Sequence, residues 1–282
     1  MIIDSHVHVW DLTRADYPWL TPDIGALYRS IGFDEIEPTL REHGITGAVL
    51  VQASDEADDT VVMLDAAAQH PAILGVVAWS PLDDPARMSA DLERFADDPR
   101  VVGIRNLVHE HPREWLNRDE VEASLAILAA HGMPLDFPTS TPAALAELPG
   151  IGARHPDLRI VIDHLGKPPI GGDGDDRAEW LRLIRECARN SLTVAKLSGL
   201  YAARGPLDSW TVEAVLPFVQ DALELFGPDR LMYGGDWPIA ELAGGYARTW
   251  DALPALLSTL SAPERTEVLG GTATRVYQLK VV

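Results

Sequence analysis

MIIDSHVHVW, residues 1–10, sets an apolar run before two histidines spaced two apart. On a strand, residues two apart share a face, so His6 and His8 present two imidazoles side by side near the end of a first strand over residues 2–8. The counterpart is RLMYGGDWP, residues 230–238, which reads as a last strand over 230–235 closed by Asp236. Six more short, branched apolar runs lie between them, at 46–53, 73–79, 101–107, 133–138, 158–164 and 193–198. Amphipathic stretches near 34–43, 56–70, 85–97, 118–131, 141–154, 176–190 and 210–226 separate the runs, and a last helical region extends from 246 to the C-terminus. Eight strand–helix units without a composition break predict one α/β domain over 1–282, a (β/α)8 TIM barrel in preference to an open doubly wound sheet. In a closed barrel the eighth strand neighbours the first, so Asp236 faces His6 and His8 across the opening.

Composition narrows the partners. The 282 residues carry 43 acidic against 23 basic side chains, a formal charge of -20 that repels phosphate backbones and anionic membrane surfaces. No nucleic acid and no membrane partner is expected, and a neutral small molecule is the easier substrate. The start lacks the basic and apolar segments of a secretory signal, which gives a cytoplasmic expectation. Cys187 is the only cysteine, so no intrachain disulfide forms, and its helical setting LIRECARN makes it a packing residue.

His164 ends the sixth run in RIVIDHLGKP and joins the same mouth. Three nitrogens and a carboxylate, from His6, His8, His164 and Asp236, suit one divalent ion, zinc first, with Asp236 also able to take a proton from water. Asp163, next to His164, should point the opposite way and brace a helix. His43, His70, His131 and His155 fall at helix ends and read as structural, while His111 should face solvent.

Taken together, HVHVW with DYPWL, GIRNLVH, DHLGKP, KLSGL and GGDWP make the chain resemble the amidohydrolase superfamily (amidohydrolase family 2, metal-dependent hydrolases of TIM-barrel fold), in its lactonase branch. The resemblance implies a carboxylic ester hydrolase that opens a small sugar lactone, such as an L-fucono- or related aldonolactone, to the sugar acid. Asp236 would be the general base, with His6, His8 and His164 as metal ligands or carbonyl polarisers. The fourth and fifth runs, GIRNLVH and MPLDFPTS, lack the lysine and histidine of two-metal members, so a two-metal site is not expected, and a metal-independent route stays open. Lactone isomerisation and hydrolysis of a pyrone dicarboxylate are the alternatives within the branch; a non-catalytic sugar-acid binder is the alternative outside it. The dicarboxylate reading would need more cations at the mouth than Arg105, with Arg14 and Arg204 as the remaining candidates. A homo-oligomer is left open.

Six further residues are expected to bind substrate. Arg105 would hold the carbonyl or ring hydroxyls with its fixed donors. His109 would be a second acid or donor. Gln52, Trp79 and Trp10 would frame a sugar ring, and Lys196, sharing a strand face with Ser198, would polarise the substrate if a carboxylate partners it. Lys167 reads as a loop residue, and Trp237 with Pro238 as the turn behind Asp236.

Overall fold

The computed structural model describes residues 1–139 and 141–280, so the end of the last helical region, 281–282, lies outside the described residues. Eight strands run in chain order through one parallel sheet: β1 (Ile3–Val7), β2 (Gly47–Val51), β3 (Ile73–Ala78), β4 (Val101–Arg105), β5 (Leu135–Phe137), β6 (Ile160–Ile162), β7 (Thr193–Leu197) and β8 (Leu231–Tyr233). The seam between β8 and β1 is joined at and beyond the C-terminal end of β8. Ser5 Oγ donates to the Tyr233 carbonyl at 2.6 Å, Asp236 N to the His6 carbonyl at 2.8 Å, and His8 N to the Trp237 carbonyl at 2.7 Å. The expected barrel is therefore present.

Alternation divides each strand into an outer and an inner set. Ile160, Ile162, Ala195, Leu197, Leu231 and Tyr233 belong to the large core shared with the helices, whereas Val161, Val194 and Met232 belong to a second core inside the barrel. That inner core also contains Ala273, Val276, Tyr277 and Leu279 from the C-terminal segment, which plugs the barrel at its strand N-termini.

The outer layer is built from helices α1 (Glu37–Glu42), α2 (Ala57–Gln69), α3 (Pro85–Ala96), α4 (Asp119–His131), α5 (Pro142–Arg154), α6 (Gly174–Ala188), α7 (Val212–Phe226) and α8 (Tyr246–Leu256). In α6, Trp180, Leu183, Ile184, Cys187 and Ala188 are buried at the three- and four-residue spacing of one helical face. Asp173 caps it, accepting from the amides of Asp175 and Asp176, an arrangement worth about 1 kcal/mol. Cys187 packs within this face, and burial pushes its thiol up to about 12, as befits an inert core residue. The last helical region divides into α8 and two short helices, α9 (Ala262–Thr266) and α10 (Thr272–Val276).

All eight strands end one or two residues earlier than their sequence suggests, and two of these ends matter for the site. The sixth was expected to reach His164 and the eighth Gly235, but β6 stops at Ile162 and β8 at Tyr233. His164, Leu165, Lys167 and Asp236 all adopt left-handed backbone, with φ between 50 and 55°. The site side chains that follow these strands are therefore aimed by turns rather than by pleat.

Candidate active site

At the C-terminal mouth, His6 Nε2 lies 3.1 Å from His8 Nε2, and the two nitrogens lie 3.7 and 3.8 Å from Asp236 Oδ1. Ligand atoms held at ~2.0–2.1 Å around a tetrahedral ion stand roughly 3.3–3.4 Å apart, so this triangle has the dimensions of three corners of such a site. All three side chains are buried. His8 Nδ1 is 2.7 Å from the Val51 carbonyl, which can only accept, so Nδ1 carries the hydrogen and Nε2 presents its lone pair. His6 Nδ1 sits between Lys196 Nζ at 3.1 Å, a donor, and Asp163 Oδ1 at 3.3 Å, an acceptor. When Nδ1 gives its hydrogen to Asp163, His6 Nε2 is free to ligate, the carboxylate–histidine arrangement that supports metal ligands. Burial pushes His6 down to about 3 and His8 well below its ordinary value, so both rings are neutral at pH 7, as ligation requires. The donor set thus fits one divalent cation.

His164 stands beside this triangle rather than in it. Its ring centroid is 4.6 Å from that of His6, and its Nδ1 is 2.9 Å from Ser198 Oγ. Its ring nitrogen groups with donor atoms of His6 and Asp163, so the expected four-atom set divides into a triangle and a neighbouring imidazole. Gly199 makes the approach feasible: a Cβ there would stand 2.5 Å from His164 Nδ1 and 2.9 Å from Asp236 Oδ2.

Asp236 is pushed up to about 7, mainly by burial, with Lys167 and Arg105 opposing. The sequence left unrecognised what holds it in place. Asp4 Oδ1 accepts from the amides of both His6, at 3.0 Å, and Gly235, at 2.8 Å, while Asp4 Oδ2 accepts from Tyr246 OH at 2.8 Å. One carboxylate therefore pins the two segments that supply the triangle.

Beneath the mouth lies a closed set of buried charges. Lys196 Nζ contacts Asp136 Oδ2 at 2.5 Å and Asp163 Oδ1 at 3.2 Å, and Arg105 Nε donates to Asp163 Oδ2 at 2.7 Å. Tyr277 OH reaches up from the plug to Asp136 at 2.7 Å. Two cations face two carboxylates, the pairing that buried charge requires. Burial raises Asp163, but Lys196, His6 and Arg105 together outweigh it and hold it well below the usual carboxylate range. Asp163 is thus turned inward, not outward to brace a helix as expected. It continues the inner set of Val161, and the left-handed turn at His164 then aims the next side chain at the mouth as well.

Several expected substrate contacts move out of the site. Lys196 is fully buried and lies under His6 instead of facing substrate. Gln52 is also fully buried; its Oε1 accepts from Arg105 Nη1 at 3.0 Å and its amide donates to Asp55 at 2.8 Å. Trp10 is buried, with its Nε1 on the Arg29 carbonyl at 2.6 Å and its ring edge against Trp19. Trp79 is half-buried and does not line the mouth; its amide bonds Thr60 Oγ1. The aromatic at the mouth is Trp19, fixed by Nε1 to the Ala53 carbonyl at 2.6 Å, so the DYPWL segment supplies the wall expected of Trp10. Arg105, His109 and Lys167 join it with His8, His164 and Asp236 around a cavity of about 140 Å³. His111 is half-buried, stacked on Trp115 at 3.9 Å and paired with Asp55, rather than turned to solvent. His70 and His155 pair with Glu37 and Glu122, and His131 bonds the Ile127 carbonyl, all away from the mouth.

Residues 3–279 match the amidohydrolase family profile over nearly the whole chain. The chain belongs to the amidohydrolase family. Among its relatives, the L-fucono-1,5-lactonase of Burkholderia ambifaria is 32% identical over 283 residues, covering 98% of this chain and 95% of that one. The L-fucono-1,5-lactonase of Burkholderia multivorans is likewise 32% identical, covering 98% and 96%. A solved amidohydrolase from Burkholderia multivorans with bound zinc superposes with a TM-score of 0.91 at 32% identity, covering 99% of this chain and all of that one. Among the described residues, no helix of this amidohydrolase is long and apolar enough to cross a membrane.

Proposed function

We propose that this amidohydrolase hydrolyses a small sugar lactone, such as an L-fucono- or related aldonolactone, to the open sugar acid. The observation that carries the reading is the triangle of His6 Nε2, His8 Nε2 and Asp236 Oδ1 at the floor of a small cavity walled by Trp19. The near full-length similarity to two L-fucono-1,5-lactonases supports the substrate class.

A divalent ion held by His6, His8 and Asp236, with zinc favoured by the nitrogen-rich set and by the zinc-bound relative, would supply Lewis-acid polarisation of the lactone carbonyl. The chain's own groups do the rest. Asp236 takes a proton from the attacking water as the water oxygen bonds to the carbonyl carbon. The ring C–O bond then breaks, and Asp236 returns the proton to the departing ring oxygen, since an unprotonated alkoxide leaves poorly. His164, neutral and steadied by Ser198, presents a ring nitrogen that can donate to the developing oxyanion when Ser198 donates to Nδ1. Arg105, anchored by Asp163 and Gln52, keeps Nη2 for substrate oxygens. Trp19 offers an apolar face to the C–H surface of a sugar ring.

The dicarboxylate alternative loses two of its cations. Arg14 pairs with Asp65 and Arg204 with Asp176, both at exposed positions away from the cavity. Acid release followed with a pH indicator over a panel of five- and six-membered sugar lactones, with and without chelator, tests the assignment. Hydrolysis of at least one member, reduced by chelation, is expected. Hydrolysis of none would remove the lactonase reading, and a change of ring size without acid release would replace it with an isomerase.

A further inference from the structure

Lactone hydrolysis converts a neutral substrate into an anion. The new carboxylate appears next to Asp236, inside a protein whose formal charge is already -20. Two cations line the cavity in which this happens, Arg105 and Lys167. Arg105 is largely committed: its Nε is held by Asp163 and its Nη1 by Gln52. Lys167 is not. Its ammonium forms no ion pair or hydrogen bond among the described residues, it is exposed at the rim, and its charge is the strongest acting on both Asp236 and His164 after burial.

Its placement is built rather than incidental. Four consecutive residues, His164 to Lys167, adopt left-handed backbone with φ between 50 and 73°. Three of them are not glycine, and conformations of this kind persist only when their surroundings over-determine them. Here Trp180 Nε1 donates to the Leu165 carbonyl at 2.8 Å, Leu165 is fully buried, and Lys167 N closes the turn on the His164 carbonyl at 2.9 Å. The strained turn that aims His164 also returns Lys167 over the same cavity.

We propose that Lys167 holds the carboxylate created by hydrolysis, so that the site binds sugar-acid anions through this ammonium and discriminates them from neutral sugars of the same shape. The inference rests on the lactonase reading for its substrate class. Lys167 neutralises the product charge that Asp236 would otherwise repel, and an exposed lysine at the rim lets the anion leave toward solvent.

The test compares wild-type, Lys167→Gln and Lys167→Arg, each zinc-loaded, binding sodium L-fuconate and the neutral polyol L-fucitol in calorimetric titrations. A hydrogen bond to a charged group predicts that Lys167→Gln weakens fuconate binding by about 10–100-fold, with Lys167→Arg recovering most of it. Fucitol affinity and zinc content should stay within about 2–3-fold of wild type, since neither involves a charge at this position. Equal losses for fuconate and fucitol, no loss for fuconate, or failure of the wild-type protein to prefer fuconate over fucitol would each overturn the proposal. Lactone turnover by the same wild-type sample separates the two readings: no turnover with a Lys167-dependent preference for fuconate removes the lactonase and leaves an anion site.

Discussion

The mouth of the barrel and the layer beneath it use the same residue types to opposite ends. Below, Lys196 and Arg105 meet Asp136 and Asp163, every charge has a buried partner, and Tyr277 seals the set from the plug. Above, ligand atoms of His6, His8 and Asp236 converge within 3.8 Å, an arrangement that fits one divalent cation. Asp163 is held low by its cations, while Asp236, equally buried, is pushed up to about 7. The difference teaches where this fold holds stability and where it surrenders stability for reactivity. His6 is the hinge between the two, with Nδ1 in the paired layer and Nε2 in the triangle.

Breaking the lower layer should have the largest effect on folding. Lys196→Met strands Asp136 and Asp163, and removing one partner of a buried charge set typically costs about 3–5 kcal/mol. In a chain of this size that corresponds to a fall in Tm of roughly 10 °C or more, read by calorimetry, and Lys196→Met combined with Asp136→Asn should recover part of it. A smaller effect should cross from one region to the other. Asp163→Asn withdraws the carboxylate behind His6 while leaving the triangle intact, and loss of such a supporting partner lowers metal affinity by about 10–100-fold, measurable by competition with a chelating dye. Smaller again, Tyr277→Phe removes one hydrogen bond to Asp136 and should cost about 1–2 kcal/mol in denaturant unfolding without altering metal affinity.

The final prediction concerns protons at the mouth. In chelator-treated protein burial pushes Asp236 up to about 7, against the ordinary aspartate value of 3.8 in the unfolded chain. The folded state therefore holds a proton that the unfolded state has lost, and the stability tied to Asp236 falls as pH rises from about 4 to about 7, then stays level. Asp236→Asn should lack this decline, so its Tm advantage over wild type grows across that window. A constant difference from pH 4 to 8 would mean that Asp236 is not destabilised by its burial.

How much of this was legible in the sequence follows from the same two regions. His6 and His8 were readable because pleat alternation within β1 dictates their shared face, and the barrel was readable because eight apolar runs alternate with helical faces. Asp163 is misread when alternation is anchored on His164, two residues past the end of β6; counted from Val161 it faces inward, and the left-handed turn at His164 lets that adjacent side chain face the mouth as well. Lys196 announced its need for a carboxylate, but Asp136 and Tyr277 come from segments 60 and 141 residues apart from their partners, and nothing local in MPLDFPTS marks the aspartate as buried. Trp10 and Trp19 exchanged roles for a similar reason. The excursion after β1 folds Trp10 back against Arg29 and Ile31, and only its far end returns Trp19 to the cavity.

The most direct measurement is the rate of acid release from L-fucono-1,5-lactone by zinc-loaded wild-type protein and by Asp236→Asn, side by side at pH 7.5. Loss of a general base at the reacting water predicts that the variant is slower by about 10²–10⁴-fold while its fold is kept and, after chelator treatment, its melting temperature is kept or improved. Equal rates in the two proteins, or no acid release from the wild type with this or any related lactone, would contradict the account.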